Sequence, residues 1–194
     1  MELLVCGLIV FFGVHSVAIL APAWRERCVS RLGAPAWKGL YAVLSGIGFV
    51  LLLVGYSHAR LSAETWYTPP PALRHVTFLL MLPVFPLLIA AYLPGRLKPR
   101  AKHPMLAAVK FWASAHLLAI GTAPDVLLFG SFLAWAVADR ISLKRRTGSP
   151  VPPQIMVRHA DLIAVVGGLL LYALMIFRLH SLLIGVSPLP APSP

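Results

Sequence analysis

Charge is scarce in this chain of 194 residues. Only 12% of its residues are charged, and Asp and Glu together number 6. A soluble domain is about 25% charged and about 45–50% apolar. Here 59% is hydrophobic and the mean hydropathy is +0.82. That balance excludes an ordinary soluble domain and implies an all-α membrane protein of one helical bundle. Cysteine is as scarce, with Cys6 in an apolar stretch and Cys28 in a basic loop. The two are expected on opposite sides of a membrane, which excludes a disulfide between them. There is no C-x-x-C and no C-x-x-C-H. A thioredoxin-type site and a covalent c-type haem are therefore excluded. No nucleotide-binding glycine loop and no internal repeat is found.

Positive charge, by contrast, is present: 17 Lys+Arg give a formal +11. In a soluble protein that excess would point to nucleic acid. In an apolar chain it sets topology, and the partner it implies is the lipid bilayer. A helix needs about 20 residues to cross ~30 Å of hydrocarbon. The apolar runs predict six spans, at 2–21, 38–58, 73–93, 104–121, 125–143 and 160–181. The fourth and fifth are separated by Gly121-Thr122-Ala123-Pro124, where Thr122 and Asp125 have capping-box spacing. The loop 22–38 carries four Lys/Arg, 94–103 four and 139–159 five, against two in 59–74 and none in 121–125. Positive loops stay in the cytoplasm, so both termini are expected outside. The remaining cations, Lys110 and Arg178, can reach an interface by snorkelling.

The first run lacks the leading positive charge of a signal peptide, because Arg25, Arg27 and Arg31 follow its apolar core. It reads as a retained first helix, with cleavage near Ala21-Pro22-Ala23 as the alternative. Pro83 and Pro86 should kink the third span. Gly39, Gly46, Gly48 and Gly55 in the second, and Gly167-Gly168 in the sixth, allow close helix contact. "TGSPVPP" at 147–153 reads as a stiff linker. The expected organisation is one transmembrane domain over 1–181 and a Pro-rich tail over 182–194.

Seven histidines sort by depth. His58, His75 and His180 fall at outer span ends, and His103 and His159 at inner ends, where water or headgroups meet them. His15 is 13 residues into the first span, ~20 Å along its axis. His116 is 12 residues into the fourth, ~18 Å. Both belong to mid-membrane. His103 and His116 are 13 residues apart, about 220° beyond three turns, so they face nearly opposite ways. His103 shares a face with Lys110. His116 shares the other with Trp112, Val109 and Met105, and His15 shares one with Leu8, Phe11 and Phe12.

An ionisable side chain in mid-membrane is a functional candidate. The plain alternative is a neutral histidine hydrogen-bonded to a neighbouring helix, through Ser16 or Ser114. Carboxylates are missing from mid-span, since Asp125, Asp139 and Asp161 are placed at helix ends. This argues against a proton relay or cation pump and against a hard-metal site. Zinc would need more ligands than two imidazoles, and Cys6 is about two and a half turns from His15. Two histidines from two helices, facing an apolar slot, suit a planar non-covalent haem with an imidazole on each face. Phe11, Phe12 and Trp112 would then pack the porphyrin.

"FFGVHS", "WRER", "WKGLY", "YTPP", "KHPMLAAVKFWASAH" and "FLAWAVADRISLKRR" together resemble the NnrU family of bacterial inner-membrane proteins. The resemblance covers the chain up to about Arg146. It implies a role linked to nitrite and nitric oxide reductase function in denitrification. The family is also similar to the plant 15-cis-zeta-carotene isomerase, a membrane haem b protein that isomerises a polyene when its haem is reduced. Its axial histidines lie in V-H-S and H-P…W-x-x-A-H segments. Carried over, these are His15, in Val14-His15-Ser16, and His116, after Trp112-Ala113-Ser114-Ala115. The H-P histidine is His103. The isomerase has a cysteine three residues before its second ligand, where this chain has Ala113, so the ligand exchange proposed for it does not carry over. Three readings follow. One is a haem b protein with an accessory or redox role. Another is a cis–trans isomerase of an apolar polyene. The last is a haem-free assembly factor.

Overall fold

The computed structural model describes residues 1–145 and 157–189. The 147–153 linker and the last residues of the tail lie outside the described residues. Among the described residues there are ten α-helices: α1 Glu2–Leu20, α2 Pro22–Leu32, α3 Ala34–Ala59, α4 Leu73–Met81, α5 Val84–Tyr92, α6 Leu97–Ala101, α7 Pro104–Ala119, α8 Ala123–Arg145, α9 Ala160–Leu174 and α10 His180–Ile184. A π-helical turn, Met175–Leu179, runs α9 into α10. The described residues contain no β-strand, only an isolated antiparallel bridge between Thr65 and Thr122. The protein is all-α, as the composition requires.

Among the described residues five helical stretches are long and apolar enough to cross a membrane: Glu2–Leu20, Ala34–Ser62, Leu73–Tyr92, Ala123–Arg145 and Ala160–Ile184. Large apolar side chains on them stand exposed, among them Leu53, Val54, Ile163, Val166 and Leu170. Helices that show apolar side chains outward suit a lipid solvent, where the backbone must satisfy itself. The expected fourth span is a helix too, but α7 has 16 residues, ~24 Å of rise against a ~30 Å core.

The chain divides into two compact units. The first holds α1, α2, α3 and α8. Its centre is the seam of α1 and α3, where glycine lets backbone meet backbone. A Cβ on Gly48 would lie 2.8 Å from the Phe11 nitrogen, and one on Gly7 would lie 2.7 Å from the Leu52 nitrogen. Gly55 meets the Leu4 backbone more closely still. Leu4, Leu8 and Leu52 are buried along this seam. The spacing 48–52–55 on α3 against 4–7–8–11 on α1 is one helical stripe on each. Gly39 and Gly46 have nothing within 4 Å where a Cβ would go, so of the four glycines in α3 only two serve this contact.

The basic stretch 22–38, read above as a loop, is mostly helix. Pro22 stands at the start of α2, where its missing N–H is no loss. Gly33, at φ 82°, ends it in a conformation that favours glycine. At the other end of the unit, α8 begins at the expected cap. Thr122 donates from its backbone N–H (3.2 Å) and from its hydroxyl to the Asp125 carboxylate. The Tyr56 hydroxyl donates to the same carboxylate at 2.6 Å. Asp125 is only 3% exposed, and these three donors make that burial tolerable. The segment after α3 is tied to the same turn. Trp66 and Tyr67 donate backbone N–H to the Gly121 carbonyl, and Ala123 donates to that of Glu64. The Tyr67 hydroxyl donates to the Ile120 carbonyl at 3.0 Å. Burial and then the Asp125 charge hold the Tyr67 phenol above its ordinary range.

The second unit holds α4, α5, α6, α7, α9 and α10. The expected kink falls at Pro83, between α4 and α5. Pro86 lies in the first turn of α5, where the helix needs no N–H from it. Gly168 of α9 packs directly on the Pro86 backbone. The Asp161 carboxylate accepts backbone N–H bonds from Arg96 (3.0 Å) and Leu97 (2.9 Å) and so caps α6 from a neighbouring helix. Thr77 of α4 donates to the Ala115 carbonyl of α7 at 3.2 Å. Tyr172 of α9 donates to the Phe78 carbonyl at 2.8 Å.

Candidate functional site

His15 lies on the inward side of α1. The Nδ1 atom is 2.7 Å from the carbonyl oxygen of Phe11, one turn back. A carbonyl only accepts, so Nδ1 carries the proton and the lone pair is on Nε2. That is the tautomer a metal-binding imidazole needs, with its second nitrogen engaged and the ring direction fixed. Ser16, the partner expected from sequence, is not used; the bond stays within one helix. The ring is also held by aromatic neighbours. Phe11 stacks on it at 4.1 Å and 23°. Tyr41 of α3 stands at 5.3 Å and Trp135 of α8 at 5.7 Å, edge to face. Phe12 packs against Phe132 at 4.9 Å and Trp135 at 5.8 Å.

Within the second unit, His116 of α7 repeats the pattern. Its Nδ1 is 2.8 Å from the Trp112 carbonyl oxygen, again one turn back. The Trp112 ring stands 5.3 Å from the imidazole. Nδ1 again carries the proton and Nε2 the lone pair. Ala113 and Ala115 beside it are fully buried. His58, His75 and His159 are exposed, and His103 is half-buried at the start of α7. His180 holds the Val186 carbonyl, 2.6 Å from its Nδ1.

The residues named from sequence thus gather in two groups. Phe11, Phe12 and His15 come together in the first unit, and Trp112 and His116 in the second. Sequence reasoning missed Tyr41 and Trp135, which stand against His15, and Phe132, which packs on Phe11 and Phe12. It also placed Asp139 at a helix end. In the structure α8 runs on to Arg145, so Asp139 lies six residues inside it. That places it one turn beyond Trp135 on α8. The 132–135–139 spacing on α8, at three and four residues, was the available signal.

His15 opens on a cleft of about 360 Å³ between α1, α2 and α3. Its walls include Tyr41 and Trp37, and Arg25 and Lys38 line the end beyond α1. Among the described residues no three His, Cys, Asp or Glu side chains gather as a metal-holding group. A metal at either histidine would therefore take most of its ligands from a partner other than this chain. A porphyrin, with four nitrogens of its own, fits that donor set. The fixed Nε2, the aromatic packing and the basic end of the cleft suit its iron, ring and acids respectively.

Fold and site define a polytopic α-helical membrane protein with an oriented imidazole deep in an apolar span. The chain belongs to the NnrU family: the NnrU protein pattern matches residues 3–188, nearly the whole length. No curated protein and no solved structure matches it.

Proposed function

We propose that this protein binds haem b in the bacterial inner membrane, with His15 and His116 as axial ligands, and serves nitrogen-oxide respiration in an accessory or redox role. One observation carries the reading. Both deep histidines give their Nδ1 proton to a carbonyl one turn back, at 2.7 and 2.8 Å. Each imidazole is thereby held in the ligand tautomer. When bound, haem supplies a one-electron couple. This chain's residues hold it and exclude water. Phe11 covers one face of the His15 ring, and Trp112 stands against His116. The role in denitrification, and partners among the nitrite or nitric oxide reductase machinery, are supported by family resemblance. The loop charges support periplasmic termini.

The isomerase reading has less support. The position three residues before His116 is Ala113, fully buried, and no thiol is available there to exchange with the imidazole. Reduced protein given 15-cis-zeta-carotene should return it unchanged. The test of the main reading is the absorption spectrum of protein purified from haem-replete membranes. A Soret band and about one haem b per chain are expected. Protein that stays colourless after haem is added would refute the proposal.

A further inference from the structure

The cleft at His15 combines an apolar wall with a basic end. Its apolar wall is made by Val14, Val17 and Ala18 of α1 with Val29 of α2. At one end stand Arg25 and Lys38, both exposed. Neither cationic group has a hydrogen-bond or ion-pair partner among the described residues. At the other end is His15. From His15 to the end of α1 at Leu20 the helix rises ~8 Å. The cleft therefore joins two unpaired cations, at the turn between α1 and α2, to an apolar trough that leads into the span. At about 360 Å³ it is far larger than the ~30 Å³ that one water occupies.

Two unpaired cations beside an apolar trough have a definite complement. We infer that the cleft binds an amphipathic anion, with a phosphate or carboxylate between Arg25 and Lys38 and its apolar body along Val14, Val17, Ala18 and Val29. The orientation follows from charge. Arg25 and Lys38 attract an acid at their end, and neither Lys nor Arg lines the His15 end. Aromatic Trp37 and Tyr41 suit the boundary between the two regions. Two sources offer this chemistry: the phosphate of an anionic phospholipid, and the propionates of a porphyrin. The lipid source needs no iron, so the inference stands apart from the haem proposal.

The test uses the full chain in two settings. In the first, haem-depleted protein in nanodiscs of phosphatidylcholine with a minor share of phosphatidylglycerol is released into native mass spectrometry, and retained phosphatidylglycerol is counted. In the second, protein in phosphatidylcholine alone is titrated with haemin and followed by absorption. The variant is Arg25→Gln/Lys38→Gln. Its control is Arg27→Gln/Arg31→Gln, which removes equal charge from exposed α2 residues that do not line the cleft. The cleft variant should weaken at least one ligand by roughly 25-fold, about fivefold for each basic side chain lost near a surface. The control should change it several-fold less, because its cations do not line the cleft. Ala18→Phe, which fills the trough and leaves the cations, should weaken the same ligand. If cleft and control pairs act alike in both settings, the charge is diffuse and the inference is overturned. It is equally overturned if the cleft pair changes neither ligand. A haemin arm that fails while phosphatidylglycerol is retained refutes the haem reading alone.

Discussion

Replacing Gly48 with alanine adds one methyl group where α3 meets α1 one turn before His15. The new Cβ would lie 2.8 Å from the Phe11 nitrogen and 2.9 Å from its Cα. Both atoms are backbone, so no rotamer change relieves the clash. Ordinary van der Waals contact begins at 3.4 Å, and the helices must part by about 0.6 Å at this level. Phe11 is also the residue whose carbonyl fixes the His15 ring, so the shift reaches the site. Gly46 is the internal control. It lies on the same helix, two residues away, with nothing within 4 Å of its added Cβ. Each alanine gains the same helix propensity, up to ~1 kcal/mol over glycine. The gain cancels when the variants are compared, and the overpacking cost of ~1–3 kcal/mol remains. Gly48→Ala should therefore be less stable than Gly46→Ala by that amount in unfolding from detergent micelles. Equal stability of the two, within ~0.5 kcal/mol, would refute close α1–α3 packing at this point.

Asp125→Ala should destabilise by about 2–4 kcal/mol, because it leaves the Tyr56 hydroxyl and the Thr122 donors unpaired in a buried place. Tyr56→Phe should cost only about 1 kcal/mol, and the reverse order in denaturant unfolding would contradict the hydrogen-bond assignment. The Tyr67 phenol is held protonated in the folded chain beyond its ordinary pKa of ~10. Its contribution is present below that value and is lost as pH rises through the raised folded value, since the unfolded chain gives up the proton first. Tyr67→Phe should flatten that alkaline fall, and an unchanged profile would contradict it. Alkaline phosphatase fused after Pro194 should be active, while a reporter inserted within 147–153 should behave as cytoplasmic. A periplasmic signal from 147–153 would refute the orientation.

What could be read from the sequence depended on whether the cause was local. The Thr122–Asp125 cap was visible because a capping box needs only a short run of chain. The break at Pro83 was visible for the same reason. Helix α2 was hidden by its own charge. Arg25, Arg27 and Arg31 were weighed for topology, while Pro22 and Gly33, which mark its ends, were passed over. The deep position of His15 followed from rise per residue. Its surroundings did not, because Tyr41 and Trp135 reach it from α3 and α8, and the face each helix turns inward is decided by packing. Asp139 was misplaced because the basic loop was taken to begin at 139, whereas α8 runs on to Arg145. The glycines of α3 looked alike in sequence. Only the register against α1 separates Gly48 and Gly55, which are needed, from Gly39 and Gly46, which are not.

The central claim is ligation by His15 and His116, and one comparison of variants tests it most directly. Reduced wild-type protein should show sharp, separate α and β bands, since two imidazoles make haem iron low-spin. His116→Ala should turn the iron high-spin, open it to carbon monoxide or lose the haem. His103→Ala should leave the spectrum nearly unchanged. A helix α7 that is merely fragile would respond alike to both. Loss of the haem signal in His103→Ala, with a normal low-spin spectrum in His116→Ala, would contradict the assignment.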